Sequence, residues 1–248
     1  MPRVTVRSDL DEARYADMRW NTPLSEQHAA LLLERLGVSS GEHVVDLGCG
    51  WGELLLRAVN AGGADTTGTG VDTDVHALRR GRALAADRGL EGRVTFTEGE
   101  AAAWKEPADR LLCIGASHAW GGTKNALSAL ANLIVPGGRL LFADGCWEKP
   151  PTPAAAALFE SEVLPLEAIV EHARAAGWHV LHLSTADQRE WDDFEATWRS
   201  GRQRWLSENP DDDRAAQVGS ELDELLRDYV TGYRGVLGFS YLVLAPAG

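Results

Sequence analysis

The run Asp46-Leu47-Gly48-Cys49-Gly50-Trp51-Gly52-Glu53 holds the residue types with most chemistry to offer. An acid closes an apolar stretch, three glycines alternate, and Leu54-Leu55-Leu56-Arg57-Ala58-Val59 continues as a helix. Strand, tight turn and helix N-terminus in that order make a site for a nucleotide-like ligand. Glycine lets the backbone bend sharply and approach a ligand with no Cβ in the way. A carboxylate at position 46 serves a phosphate poorly and an amino-acid ammonium well. Asp72 ends a second apolar run 26 residues later, where an acid can accept from both hydroxyls of a ribose. His118 follows Leu111-Leu112-Cys113-Ile114-Gly115-Ala116-Ser117, at the strand end where open α/β sheets place ligands. An imidazole there suits proton removal near neutral pH.

The elements that must hold these residues alternate along the chain. Strands are expected over 43–47, 67–72, 94–97, 110–114 and 138–143. Helices are expected over 53–61, 75–88 and 124–134, with a weak one near 101–104 and Pro136-Gly137-Gly138 as a turn. Alternation of this kind argues for a parallel sheet. An amphipathic helix over 25–36 precedes it, stopped by Gly37. After Asp144 the rhythm changes. Residues 148–153 are proline-rich and unsuited to a regular element. A helix over 166–176, a sixth strand over 178–183, a long helical segment over 187–234 and a seventh strand over 236–245 complete the chain. The long segment is too large for a plain crossover and is expected to cover the mouth of the site.

Composition narrows the partners. The formal net charge is −13, which repels a nucleic-acid backbone unless basic residues cluster. The densest basic cluster, Arg79-Arg80-Gly81-Arg82, reads as a solvated helix face, so a small-molecule acceptor is expected and nucleic acid is not. No run approaches the roughly eighteen apolar residues of a membrane span, so no membrane partner is expected. Residues 1–7 lack the apolar core of a signal peptide, which puts the expected location in the cytoplasm. Cys49, Cys113 and Cys146 have no zinc-finger spacing, Cys49 and Cys113 read as small buried residues, and no metal is expected.

Two further motifs complete a pattern. Glu98-Gly99-Glu100-Ala101 resembles the Gly-Asp-Ala of class I S-adenosylmethionine (SAM) methyltransferases, with Glu in place of Asp, and Leu140-Leu141-Phe142-Ala143-Asp144-Gly145 closes the set. Four motifs in order over residues 40–145 resemble that family. Cys113-Ile114-Gly115-Ala116-Ser117-His118-Ala119 and Gly232-Tyr233-Arg234-Gly235-Val236-Leu237-Gly238-Phe239 are similar to a bacterial group of small-molecule methyltransferases within it. The resemblance implies a Rossmann-like α/β fold. Its seven-stranded sheet has the last strand antiparallel, inserted between the fifth and sixth, with helices on both faces and a helical lid. It implies one domain over 1–248, with 1–40 as an N-terminal cap and about 146–235 as substrate-side and lid segments.

The resemblance also implies roles. Gly48, Gly50 and Gly52, with Cys49 among them, pass under the methionine part of SAM, and Asp46 faces its ammonium. Asp72 holds the ribose and Thr73 flanks the adenine, whose edge meets Glu100 and Ala101. Gly115 and Ala116 border the methyl-transfer centre. Asn21 and Thr22 belong to a segment expected to fold over the cofactor. His118 is the candidate base or acceptor contact. Among nine tryptophans, Trp20, Trp51, Trp120 and Trp147 fall near the expected mouth and could form a water-excluding wall, with Trp20, Trp120 and Trp147 as acceptor contacts. Trp191, Trp198 and Trp205, seven apart, read as a helix stripe packed on the body. The expected activity is methyl transfer to an oxygen or nitrogen of a small organic molecule, leaving S-adenosylhomocysteine. A non-catalytic SAM-binding module and a nicotinamide oxidoreductase are the alternatives.

Overall fold

Two helices precede the sheet, α1 (Asp9–Ala16) and α2 (Glu26–Leu36), the second N-capped by the Ser25 side chain and ended by Gly37 at φ 64°. The computed structural model describes residues 9–159 and 163–247; the expected signal-free stretch 1–7 lies outside them. The strands β1 (His43–Leu47), β2 (Thr67–Asp72), β3 (Val94–Glu98), β4 (Ala108–Ile114) and β5 (Ile134–Trp147) pair in parallel. Between them run α3 (Glu53–Ala61), α4 (Val75–Asp87) and α5 (Thr123–Leu130). Both sheet faces are covered, which is why β1 and β4 are nearly continuous apolar runs. Leu32, Leu55, Leu78 and Tyr241 pack one face; Leu127, Phe142, Ile169 and Trp178 pack the other.

The second half adds α6 (Pro153–Leu158), β6 (Leu164–Pro165), α7 (Leu166–Ala175), β7 (Trp178–Thr185), α8 (Gln188–Glu208), α9 (Ala215–Arg227), a π-helical turn over Asp228–Tyr233, and β8 (Leu237–Pro246). The sheet order is β3-β2-β1-β4-β5-β8-β7, with β8 antiparallel to both neighbours. This is the expected Rossmann-like arrangement, extended by the two-residue β6 paired with β5.

Three expectations are corrected. The helix expected to reach Ile134 ends at Leu130, because Ala108 captures Ile134 into the sheet, and the expected Pro136-Gly137-Gly138 turn falls within β5 at a shift of its register against β4, with Gly137 at φ 82°. The proline-rich stretch is irregular only up to Thr152, whose hydroxyl caps α6; Pro153 sits in the first turn, where its missing N–H costs nothing. The three tryptophans of α8 do not form one stripe. Trp191 enters the main core, while Trp205 joins Val218 and Leu222 of α9 in a separate cluster. Trp198 lies under the guanidinium groups of Arg14 and Arg202.

Helix α8 also carries the N-terminal cap. A Cβ on Gly201 would lie 1.7 Å from the carbonyl oxygen of Ala13, so α1 crosses α8 at backbone contact. Asp17 accepts from Arg204 and Ser200 beside that crossing.

Candidate active site

The C-terminal ends of β1, β2 and β4 open into a cleft of about 580 Å³. Its floor is the glycine turn after β1. The Gly48 and Cys49 N–H groups donate to Val71 O, and the Gly52 N–H closes the turn onto Cys49 O. Gly48 has φ 80°, and a Cβ there would lie 2.3 Å from Ala116 Cβ. Only glycine therefore lets β1 and the loop after β4 meet. The same approach puts Gly115 and Ala116 on the cleft wall.

Two acids stand at the base of the cleft. Asp72 accepts from the Gly50 N–H (2.7 Å) and the Asp74 N–H (2.8 Å), so the glycine turn is tied to the end of β2. Its carboxylate oxygens retain lone pairs for a ligand's hydroxyls. Asp46 is 4 % exposed and has no hydrogen-bond partner among the described residues. Burial first, and then the Asp72 charge, push its carboxyl up to about 7. A buried acid without a protein partner is costly, and a ligand cation supplies what is missing. Thr73, Glu100 and Ala101 border the cleft farther along, Glu100 as an exposed carboxylate and Ala101 buried.

The roof is the segment from Arg19 to Thr22. The Trp51 ring is buried, and its indole N–H donates to Arg19 O at 2.9 Å. Arg80 lies 4.2 Å over that ring and donates to the carbonyls of Tyr15 and Met18. The basic cluster is thus not wholly a solvated face: Arg80 clamps the N-terminal cap to the glycine turn. Its place one residue from Gly81 and three from Ala77, both on the buried side of α4, was the available signal. Asn21 is exposed on the cleft. Thr22 is buried there, and its hydroxyl lies 3.0 Å from the Tyr241 hydroxyl, which donates to Pro23 O. The Trp20 ring lines the cleft under the Arg57 guanidinium.

His118 lies in a 3₁₀ turn over Ser117–Trp120, and its exposed imidazole lines the same cleft. No other described residue hydrogen-bonds its ring. The loop is braced from β5, where Asp144 accepts from the Thr123 hydroxyl at 2.6 Å. Gly52, Trp120 and Trp147 do not line the cleft. Gly52 caps α3 with φ 68°, and a Cβ there would press on Phe96. Trp120 packs against the core on the α5 face. Trp147 meets the Phe159 ring edge-on at 5.8 Å. Phe239 of β8, which the sequence did not single out as a site residue, lines the cleft instead. No group of His, Cys, Asp and Glu among the described residues could hold a metal ion, and no described helix is long and apolar enough to cross a membrane.

Comparison with known proteins fits this geometry. A methyltransferase domain family matches residues 38–202. The uncharacterized protein YjhP of Escherichia coli is 32% identical over 98% of both chains. The SAM-dependent methyltransferase from Geobacter sulfurreducens, solved in complex with S-adenosyl-L-homocysteine, is 29% identical, with a TM-score of 0.86 over 97% of this chain and 98% of that one. A SAM-dependent methyltransferase from Thiobacillus denitrificans, also solved with S-adenosyl-L-homocysteine, is 30% identical, with a TM-score of 0.85 over 99% of each. Shorter matches reach proteins named as an O-methyltransferase and as C-methyltransferases, over 66% and 42% of this chain.

Proposed function

The chain belongs to the class I SAM-dependent methyltransferases, and on that premise we propose that it methylates an oxygen or nitrogen of a small organic molecule. The observation that carries this reading is the exposed His118 imidazole on the wall of the cleft that holds Asp46, Asp72 and the glycine turn. Methylation of a hydroxyl, phenol or protonated amine requires loss of a proton, and an unpaired imidazole at the mouth can take it. The sequence relatives named for ubiquinone/menaquinone C-methylation cover only 42–44% of this chain, and the acceptor atom is the part of the proposal that the test must decide.

The residues fit the cofactor. Asp46 would receive its ammonium, Asp72 the ribose hydroxyls, and Thr73, Glu100 and Ala101 the adenine. Gly48, Cys49 and Gly50 would lie against the methionine chain, with Asn21 and Thr22 above it. SAM supplies a methyl group already activated by a positive sulfur. What remains for the protein is to align the acceptor, exclude water and remove a proton. Gly115 and Ala116 leave room beside His118 for an in-line approach. Trp20 and the clamp of Arg80 on Trp51 support a roof that keeps water out. In this reading residues 1–40 are the cap and residues 146–235 the acceptor side of one domain. Three free cysteines and the acidic surface are consistent with a cytoplasmic enzyme that does not bind nucleic acid.

The test is a panel of hydroxyl- and amine-bearing metabolites, with S-adenosylhomocysteine formation as readout. Turnover on an alcohol, phenol or amine, lost in His118→Ala, supports the proposal. Turnover confined to carbon acceptors overturns it.

A further inference from the structure

One group in the lid has no role in the site described so far. Glu195 of α8 is 4 % exposed. Its Oε1 accepts from the Tyr233 hydroxyl at 2.7 Å, and its Oε2 has no hydrogen-bond partner among the described residues. One turn earlier on α8, the buried Trp191 Nε1 is a donor with no partner. A buried acceptor and a buried donor left open together are unusual in a folded chain. Burial raises the Glu195 carboxyl above its ordinary range, against the Tyr233 bond and the charge of Arg199, and Oε2 is still left without a hydrogen bond among the described residues.

The sequence builds this arrangement deliberately. Tyr233 ends a π-helical turn, a form that clusters at functional sites. The turn is pinned to α8 by Asp192, which accepts from the Tyr229 hydroxyl at 2.7 Å and from Arg234. Gly232 lets α6 pack against it, since a Cβ there would lie 2.6 Å from Leu158 Cδ1. The Gly232-Tyr233-Arg234-Gly235 motif is thereby accounted for as the mount for one phenol.

A row of aromatic residues runs from the edge of the cleft toward this point. Phe239 lines the cleft and lies close to Gly115, where a Cβ would be 3.6 Å from its ring. Its sheet partner Gly145 opens onto free space, with nothing within 4 Å of a Cβ built there. Two residues on, Trp147 meets Phe159, Phe159 meets Tyr233 at 5.2 Å, and Tyr233 meets Trp191 at 6.3 Å.

Resting on the methyltransferase reading, we infer that Glu195 and Trp191 Nε1 form the acceptor's recognition point. The acceptor has an apolar or aromatic body lying over Gly145 between Phe239 and Trp147. Its far end carries an N–H or O–H donor for Glu195 Oε2, and Trp191 Nε1 binds a lone pair on that end. Glu195 is a specificity residue, remote from the transferred methyl.

The test separates recognition from structure. A side chain kept for structure lowers stability when replaced, whereas one kept for a ligand raises it. The double variant Glu195→Met/Tyr233→Phe removes the open acceptor and the phenol together. We expect its melting temperature, without ligand, to rise by several degrees, with S-adenosylhomocysteine affinity unchanged within twofold. Binding of 2-phenylethylamine, 2-phenylethanol and ethylbenzene to the protein saturated with S-adenosylhomocysteine is then compared by calorimetry. In wild type at least one of the first two should bind about tenfold tighter than ethylbenzene, and which one shows whether the far-end donor is an amine or a hydroxyl. The preference should vanish in the double variant and weaken in Glu195→Gln. A lowered melting temperature in the double variant, or no donor preference in wild type, overturns the inference. Failure of wild type to bind S-adenosylhomocysteine would instead overturn the methyltransferase reading.

Discussion

Around Gly48–Gly52 the geometry is backbone geometry: N–H groups of the turn bond Val71 O and Asp72, and a missing Cβ sets the approach to Ala116. Around the lid it is made by side chains whose partners come from far along the chain. His28 Nδ1 meets Glu190 at 3.1 Å, Thr22 meets Tyr241, and Tyr233 meets Glu195. The cofactor end is therefore built from general backbone features, and the lid end from particular side chains. The difference teaches where to look for specificity: a SAM site needs only a turn and two acids, while an acceptor site needs individual side chains. It also predicts that damage to the two ends will differ in kind.

The largest effect is expected at the turn. Gly48→Ala places a Cβ against Ala116 and requires a strained positive φ, so S-adenosylhomocysteine binding by calorimetry should weaken by more than about 100-fold. Retained affinity would mean that the turn is not the cofactor floor. His118→Ala sharpens the comparison from the other side. It should lower kcat by roughly 10² while cofactor affinity stays nearly constant. If His118→Gln keeps most of the rate, the residue positions the acceptor rather than removing its proton.

Asp72→Ala should weaken cofactor binding about 10- to 100-fold, since charge-assisted hydrogen bonds contribute ~1.5–3 kcal/mol each and the turn also loses its tie to Gly50. The exposed Glu100→Ala should cost less than about threefold; equal losses would misplace the ribose site. In the lid, Glu190 is buried, which raises its pKa, but hydrogen bonds from His28, Ser25 and Asp187 outweigh this and hold it at about 2. A carboxyl depressed in the folded state stabilises the fold above its ordinary pKa, and that contribution is lost as pH falls from about 4.5 to about 2. Glu190→Gln should thus lower the melting temperature by roughly 2–6 °C at pH 7, with the gap closing toward pH 2.

The same contrast explains what could be read from the residues alone. Strand ends, the glycine turn, Asp46 and Asp72 follow from local patterns of apolar residues, acids and glycine, whereas the placement of β8 follows from the resemblance to the methyltransferase family. His118 follows because it trails an apolar strand. The partners of the lid do not follow, because nothing near Glu195 in sequence announces Tyr233, and nothing near Thr22 announces Tyr241. Trp120 was expected on the acceptor wall from proximity to a strand end, yet its ring packs on the α5 face, because packing against neighbours decides which way a ring turns. Arg80 was hidden for the same reason, since a guanidinium that stacks on Trp51 looks like a surface charge in sequence.

Asp46, a buried carboxyl with no hydrogen-bond partner among the described residues, is the centre of the proposed cofactor site, where the ligand's ammonium would complete it. Raised to about 7, it holds a proton below that pH in the free protein, so its contribution to stability is present at low pH and lost as pH rises from about 4 to about 7. A bound ammonium reverses the preference and drives the proton off. Calorimetric titration of S-adenosylhomocysteine in two buffers of different ionisation enthalpy counts protons released. The account predicts close to one proton released per ligand at pH 6 and almost none at pH 8, with both values near zero in Asp46→Asn. Binding at pH 6 with no proton released, or with a proton taken up, would contradict it.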